Sequence, residues 1–130
     1  MMTIAAVVLL SQQPVLPTLE GIASFYTIES SSTLTASGET YDDELLTCAM
    51  RYGRFGEYYR ITADNGKSVV VRLNDRGPYI DGRIIDLSRG AMRRLDPSLR
   101  AGLVHVKIER VDPIIRRSIP SNPVGYVPIP

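Results

Sequence analysis

Apolar and polar residues alternate in several short stretches of this chain, and a period of two marks strands half-buried in a sheet. Ile22–Tyr26 reads as an opening strand and Leu45–Ala49 as a second. In Tyr58–Ala63, Tyr59 and Ile61 fall on one face and Arg60 and Thr62 on the other. Ser68–Asn74 turns Val69, Val71 and Leu73 inward. Asp64-Asn65-Gly66-Lys67 joins these two strands, and Asn-Gly supplies the positive φ angles of a tight hairpin turn. Ile84–Leu87 is short and apolar, and Val104–Val111 alternates with Val104, Val106 and Ile108 on the core side. One helix fits between these last two strands. Ser88 is its N-cap, Arg89–Leu95 its body, and Asp96-Pro97 its end, with Arg93 and Arg94 near the negative C-terminal pole. Six short strands and one short helix predict a mainly β fold closed into a compact β-barrel.

The folded unit is expected over residues 20–112. Residues 1–19 carry no charge, and Met1–Leu10 is an apolar run too short to span a bilayer. Its length suits the core of a secretory signal, although no Lys or Arg precedes it and no A-x-A site follows. The competing reading is a short helix or strand packed on the domain. No Cys follows the run, so a lipid anchor is not expected, and export without a stable membrane anchor is. Residues 113–130 hold five of the nine prolines and read as an extended tail, a candidate partner-binding segment.

Composition narrows the chemistry. A chain of 130 residues with 44% hydrophobic and 22% charged residues is one globular domain. A net charge of +1 gives no electrostatic footprint for nucleic acid. One cysteine, one histidine and no tryptophan exclude an intramolecular disulfide and a Cys/His zinc site. Cys48 sits among apolar neighbours and reads as a buried thiol, while His105 falls on the polar face of the last strand. Gly66-Lys67-Ser68 ends like a phosphate-binding loop, but Ile61 stands where that loop needs glycine. Catalysis is left to carboxylates, hydroxyls or backbone groups, with no metal or other cofactor expected. The 13 arginines against two lysines suit anionic or planar ligands, or reflect only a surface preference.

Asn74-Asp75-Arg76-Gly77-Pro78 is the most unusual stretch. Gly77-Pro78 forces a sharp turn at a strand's end, which holds Asp75 at a rim as a general acid must be held. The other reading is that Asp75 only accepts hydrogen bonds from the turn. Arg76 is placed to orient it or to bind substrate. Asp86, in an apolar strand, reads as an acceptor for backbone N–H groups or an arginine. Glu39, Asp42, Asp43 and Glu44 form either a solvated loop or a cluster that raises a neighbouring carboxyl's pKa. Tyr52, Tyr58, Tyr59, Tyr79 and Phe55 lie at turns, as packing or as flat faces for sugar rings.

Together these segments resemble the rare lipoprotein A (RlpA) family. The matching stretches are Gly21–Tyr26, Thr35–Asp42, Leu46–Met50, Ser68–Pro78 (SVVVRLNDRGP) and Gly82–Ser88 (GRIIDLS). Arg100-Ala101-Gly102 before a Val-rich last strand completes the order. The resemblance implies a six-stranded double-psi β-barrel and peptidoglycan glycan strands as the partner. It implies an extracytoplasmic endolytic lytic transglycosylase that cuts the β-1,4 bond after N-acetylmuramic acid in peptide-stripped strands, leaving 1,6-anhydro ends. One carboxylic acid suffices for this chemistry: it protonates the leaving oxygen, then acts as base on the sugar's 6-hydroxyl. The resemblance places the acid at Asp75 and a supporting glutamate at Glu39, and Arg76, Tyr79, Asp86 and Met50 are read as the residues around the substrate. It also expects a histidine where this chain has Met50, which neither titrates nor donates. That departure leaves a second reading, a catalytically silent barrel that binds glycan. Plant barwin and expansin relatives lean on disulfides that one cysteine does not supply.

Overall fold

The computed structural model describes residues 18–26 and 34–111. The apolar segment over 1–17 and the proline-rich stretch over 113–130 lie outside the described residues. The elements are β1 (Thr18–Phe25), β2 (Thr47–Ala49), β3 (Tyr58–Ala63), β4 (Ser68–Asp75), β5 (Arg83–Leu87), α1 (Arg89–Leu95) and β6 (Val104–Val111). All six strands and the helix stand where the periodicity places them. β1 begins at Thr18, earlier than the pattern suggests, because Thr18 and Leu19 pair with Glu109 and Ile108 of β6.

The strands close into a barrel in the order β1-β5-β2-β4-β3-β6. β1/β5 and β2/β4 are parallel, and the other four pairings are antiparallel. Alternation fills the interior: Ala23, Cys48, Ile61, Val71, Leu73, Ile85, Leu87, Val106 and Ile108 are buried in one cluster. Helix α1 adds Ala91, Met92 and Leu95 to that cluster.

The β3–β4 connection differs from the expected turn. Ala63 N–H donates to Lys67 O (2.8 Å) and Gly66 N–H to Ala63 O (2.9 Å), so three residues form the loop. Only Gly66 takes a positive φ (86°), as in a type I turn closed by a glycine bulge. Asn65 is used differently. Its amide donates to Leu95 O (3.1 Å) and its Oδ1 accepts from Lys67 N–H (2.9 Å), tying the hairpin to the end of α1.

The other end of α1 is anchored by Ser88. Its hydroxyl is fully buried, caps the helix by accepting from Ala91 N–H (3.2 Å), and donates to Leu45 O. The 42–46 loop approaches so closely here that Gly90 N–H donates to Asp43 O (2.8 Å). A Cβ at Gly90 would lie 3.0 Å from the Asp43 and Glu44 carbonyl oxygens. Replacing Ser88 by Ala is expected to cost about 2 kcal/mol, combining a lost cap with the lost hydrogen bond to Leu45 O. A urea midpoint unchanged from wild type would contradict this.

Candidate active site

Four neighbouring strands bring one residue each into a single row. Ser24 of β1 pairs with Asp86 of β5, Asp86 with Ala49 of β2, and Ala49 with Asp75 of β4. Two strand spacings separate the carboxylate-bearing backbones, roughly 10 Å, with the methyl group of Ala49 between them.

Two register shifts create this row. Cys48 pairs with Leu73, but Ala49 pairs with Asp75, so Asn74 is an extra residue on β4. Strict alternation from Val69, Val71 and Leu73 would aim Asp75 into the barrel. The extra residue moves it to the face shared by Asp86, which lies between inward Ile85 and Leu87. A similar shift at Ile84 brings Asp86 opposite Ser24.

Among the described residues, the Asp75 carboxylate accepts three hydrogen bonds. Ala36 N–H (2.8 Å) and Arg76 N–H (2.9 Å) donate to Oδ1, and the Tyr26 hydroxyl donates to Oδ2 (2.7 Å). Thus Asp75 does accept from its turn, and it is also held from two distant segments. The Tyr26 ring packs on Tyr41, with centroids 4.4 Å apart. Burial and the contact with Asp75 push the Tyr26 pKa well above its usual value, so it stays a donor.

Asp86 is half-buried and accepts a hydrogen bond from Ser24 Oγ. Burial raises its pKa above the usual aspartate value, and the negative charge of Asp75 adds to that. The Ser24 hydrogen bond and the Arg83 charge oppose it. Burial thus favours the protonated form of Asp86 more than in an exposed aspartate.

Glu39 is brought to this region as the partner of Arg72. The two side chains form a two-pronged ion pair at 2.6 and 2.7 Å, which holds the Glu39 carboxyl below its usual range. Its loop lies over the end of β4, where Ser37 N–H donates to Asn74 O (3.1 Å). The Glu39–Arg72 pair thereby fixes the segment that delivers Ala36 N–H to Asp75. The neighbouring Asp42 accepts from Glu44 N–H (2.9 Å), a local loop contact.

Arg76 sends its guanidinium away from Asp75, to the carbonyls of Met50 (3.3 Å), Tyr52 (3.4 Å) and Gly53 (2.7 Å). Met50 itself is buried (4% exposed) and packs with the apolar core. It lines a hollow of about 210 Å³ with Leu19, Tyr52, Tyr59 and Ile108. Its backbone N–H donates to Asp75 O (3.3 Å), so position 50 adjoins the acid through main chain. Tyr79 follows the cis Gly77-Pro78 bond and is 75% exposed. Cys48 is fully buried, and His105 lies on the surface, 2.8 Å from Asp64. Among the described residues, no group of three His, Cys, Asp or Glu side chains could hold a metal ion.

Sequence reasoning assigned no role to Tyr26, Ser24 or Arg72. Ser24 had a signal, its outward place between Ala23 and Phe25, whereas the reach of Tyr26 to Asp75 spans 49 positions and has none.

The family model described as lytic transglycolase matches residues 18–108. The chain belongs to the lytic transglycolase family. Endolytic peptidoglycan transglycosylase RlpA of Pseudomonas aeruginosa is 44% identical over 95 residues, covering 72% of this chain and 28% of that protein. The probable endolytic peptidoglycan transglycosylase RlpA of Treponema pallidum is 46% identical over 95 residues, covering 72% and 30%. The chain therefore spans less than a third of the length of these relatives. Among solved structures, Streptomyces papain inhibitor superposes with a TM-score of 0.62 at 22% identity, covering 76% of this chain and 98% of that one. The fold is the double-psi β-barrel of the lytic transglycolase family, as the motif order implies.

The raised pKa of Asp86 has a consequence for stability. The native state binds more protons than the unfolded chain between the two pKa values, so stability falls as pH rises through the folded pKa. Asp86→Asn removes that loss and keeps an oxygen for Ser24. Its urea midpoint is expected above wild type at about pH 7, with the gain vanishing below the unfolded aspartate pKa of about 3.9. A midpoint that does not rise at neutral pH would count against burial of this carboxyl.

Proposed function

We propose that this barrel is an endolytic lytic transglycosylase acting on peptidoglycan glycan strands stripped of stem peptides. The supporting observation is the Asp86–Ala49–Asp75 row in a barrel of the lytic transglycolase family. Relatives named as endolytic peptidoglycan transglycosylases support peptidoglycan as the substrate. Such a substrate lies outside the cytoplasmic membrane, and we infer an extracytoplasmic location.

In this reading the row carries the proton. Asp86, whose hold on its proton is strengthened by burial and by the charge of Asp75, gives that proton to the glycosidic oxygen as the C1–O bond breaks. Positive charge then grows at the anomeric carbon, and the carboxylate of Asp75 faces it, fixed by Tyr26, Ala36 and Arg76. The carboxylate of Asp86 next removes the proton from the 6-hydroxyl, whose oxygen bonds to C1 and closes the 1,6-anhydro ring. The acid regains its proton, and no water enters. The acid/base role that the resemblance implies for Asp75 is here proposed for Asp86, with Asp75 as the charge-stabilising carboxylate. Glu39 acts by holding the Ala36 loop, and Tyr79 offers an exposed ring beside the row.

One observation favours a second reading, a silent glycan-binding barrel: Met50 is buried where the RlpA resemblance expects a histidine. Product analysis separates the two. Incubation with peptide-free glycan strands is expected to give anhydro-muramyl products by mass spectrometry. Asp75→Asn and Asp86→Asn are each expected to lower kcat by about 10²-fold or more. In residual Asp75→Asn activity the alkaline limb of kcat/KM is expected at lower pH, because the charge that raises Asp86 is gone. Glycan binding without any anhydro product would establish the silent barrel instead.

A further inference from the structure

Two loops leave the acid row, residues 50–57 after β2 and 76–82 after β4. Each lends the other an arginine. Arg51 Nε donates to Pro78 O (2.7 Å) and its Nη2 to Ile80 O (3.3 Å). In return, Arg76 donates to the Met50, Tyr52 and Gly53 carbonyls, and its guanidinium lies 4.3 Å from the Phe55 ring centroid. The rigid guanidinium fork suits several main-chain oxygens at once, which a single ammonium serves less well.

The joined loops carry Tyr52, Phe55, Tyr79 and Ile80, four of the seven exposed large hydrophobic side chains among the described residues. Apolar side chains gathered on loops that are fastened to each other mark a binding surface. Flat rings beside a polar acid row match the apolar face of a pyranose ring.

We propose that Arg51 and Arg76 form a reciprocal clasp that sets these loops as a sugar-stacking ledge beside the acid row. Arg51 is the positioning residue of that ledge. The inference rests on the glycan reading above. The main-chain N–H of Arg76 is bound to Asp75, so freeing the Arg76 side chain from its carbonyls would also loosen that carboxylate. Among the described residues, the side-chain hydrogen bonds of Arg51 reach only the ledge, which makes it the cleaner probe.

The test compares wild type, Arg51→Ala and Arg51→Lys by hydrogen exchange and by steady-state kinetics on peptide-free glycan strands. In Arg51→Ala, amides of residues 76–82 are expected to exchange faster. KM is expected to rise about tenfold with kcat and its pH profile unchanged, the signature of lost ground-state binding. Arg51→Lys is expected to recover part of both, and it carries the test if the alanine variant does not fold. Unaltered exchange in 76–82 would overturn the clasp, and a fall in kcat at constant KM would overturn the ledge. A wild type that neither binds nor cleaves glycan would remove the ledge's ligand, while the exchange result still decides the clasp.

Discussion

The site depends on one residue more in β4 than in β2. Between Cys48–Leu73 and Ala49–Asp75 the register slips by Asn74, and the slip decides which way Asp75 faces. A strand with side-chain period two cannot both seal the barrel with Val69, Val71 and Leu73 and present the next odd position outward. The extra residue resolves that conflict locally. It also gives the Asn74 carbonyl to Ser37 N–H, so the same slip anchors the loop that brings Ala36 to Asp75. Asn74 is buried, and its Oδ1 has no partner among the described residues, so this position serves geometry more than it serves packing.

Stability and site geometry draw on different interactions. Apolar rows from all six strands and α1 supply the core. The segments around the row are fixed instead by polar side chains reaching main chain or each other. Ser88 holds the 42–46 loop, Glu39 and Arg72 hold the 34–40 loop, and the two arginines hold the segments after β2 and β4. Directional bonds suit this task, because hydrophobic contact alone leaves a loop free to slide.

Most of the architecture was legible in the sequence because burial imposes a period. β3, β4 and β6 are buried on the faces their alternation names, and Ser88 caps α1 as its place before Arg89 implies. The site was legible in part. Asp75 stood out at a strand end before Gly77-Pro78, but its donor Tyr26 comes from a distant strand, and sequence distance hides such contacts. Asp86 read as an ordinary acceptor, since its place in one row with Asp75 arises from an antiparallel and a parallel pairing to β2 that local patterns do not encode. The side chain of Arg76 turned from the acid toward carbonyls, a choice made by the neighbouring loop. Asn65-Gly66 fitted a two-residue turn equally well until the α1 carbonyl of Leu95 claimed the asparagine.

The order of strands around the barrel also sets an order in time. β1, the first strand of the barrel, lies between β5 and β6, the last two to be made. Its parallel partner begins at Arg83 and its antiparallel partner ends at Val111, so neither edge of β1 can pair until nearly the whole unit exists. Pairings this distant along the chain close large loops before they are repaid by contacts, which slows folding. A growing chain therefore stays unclosed until its end emerges.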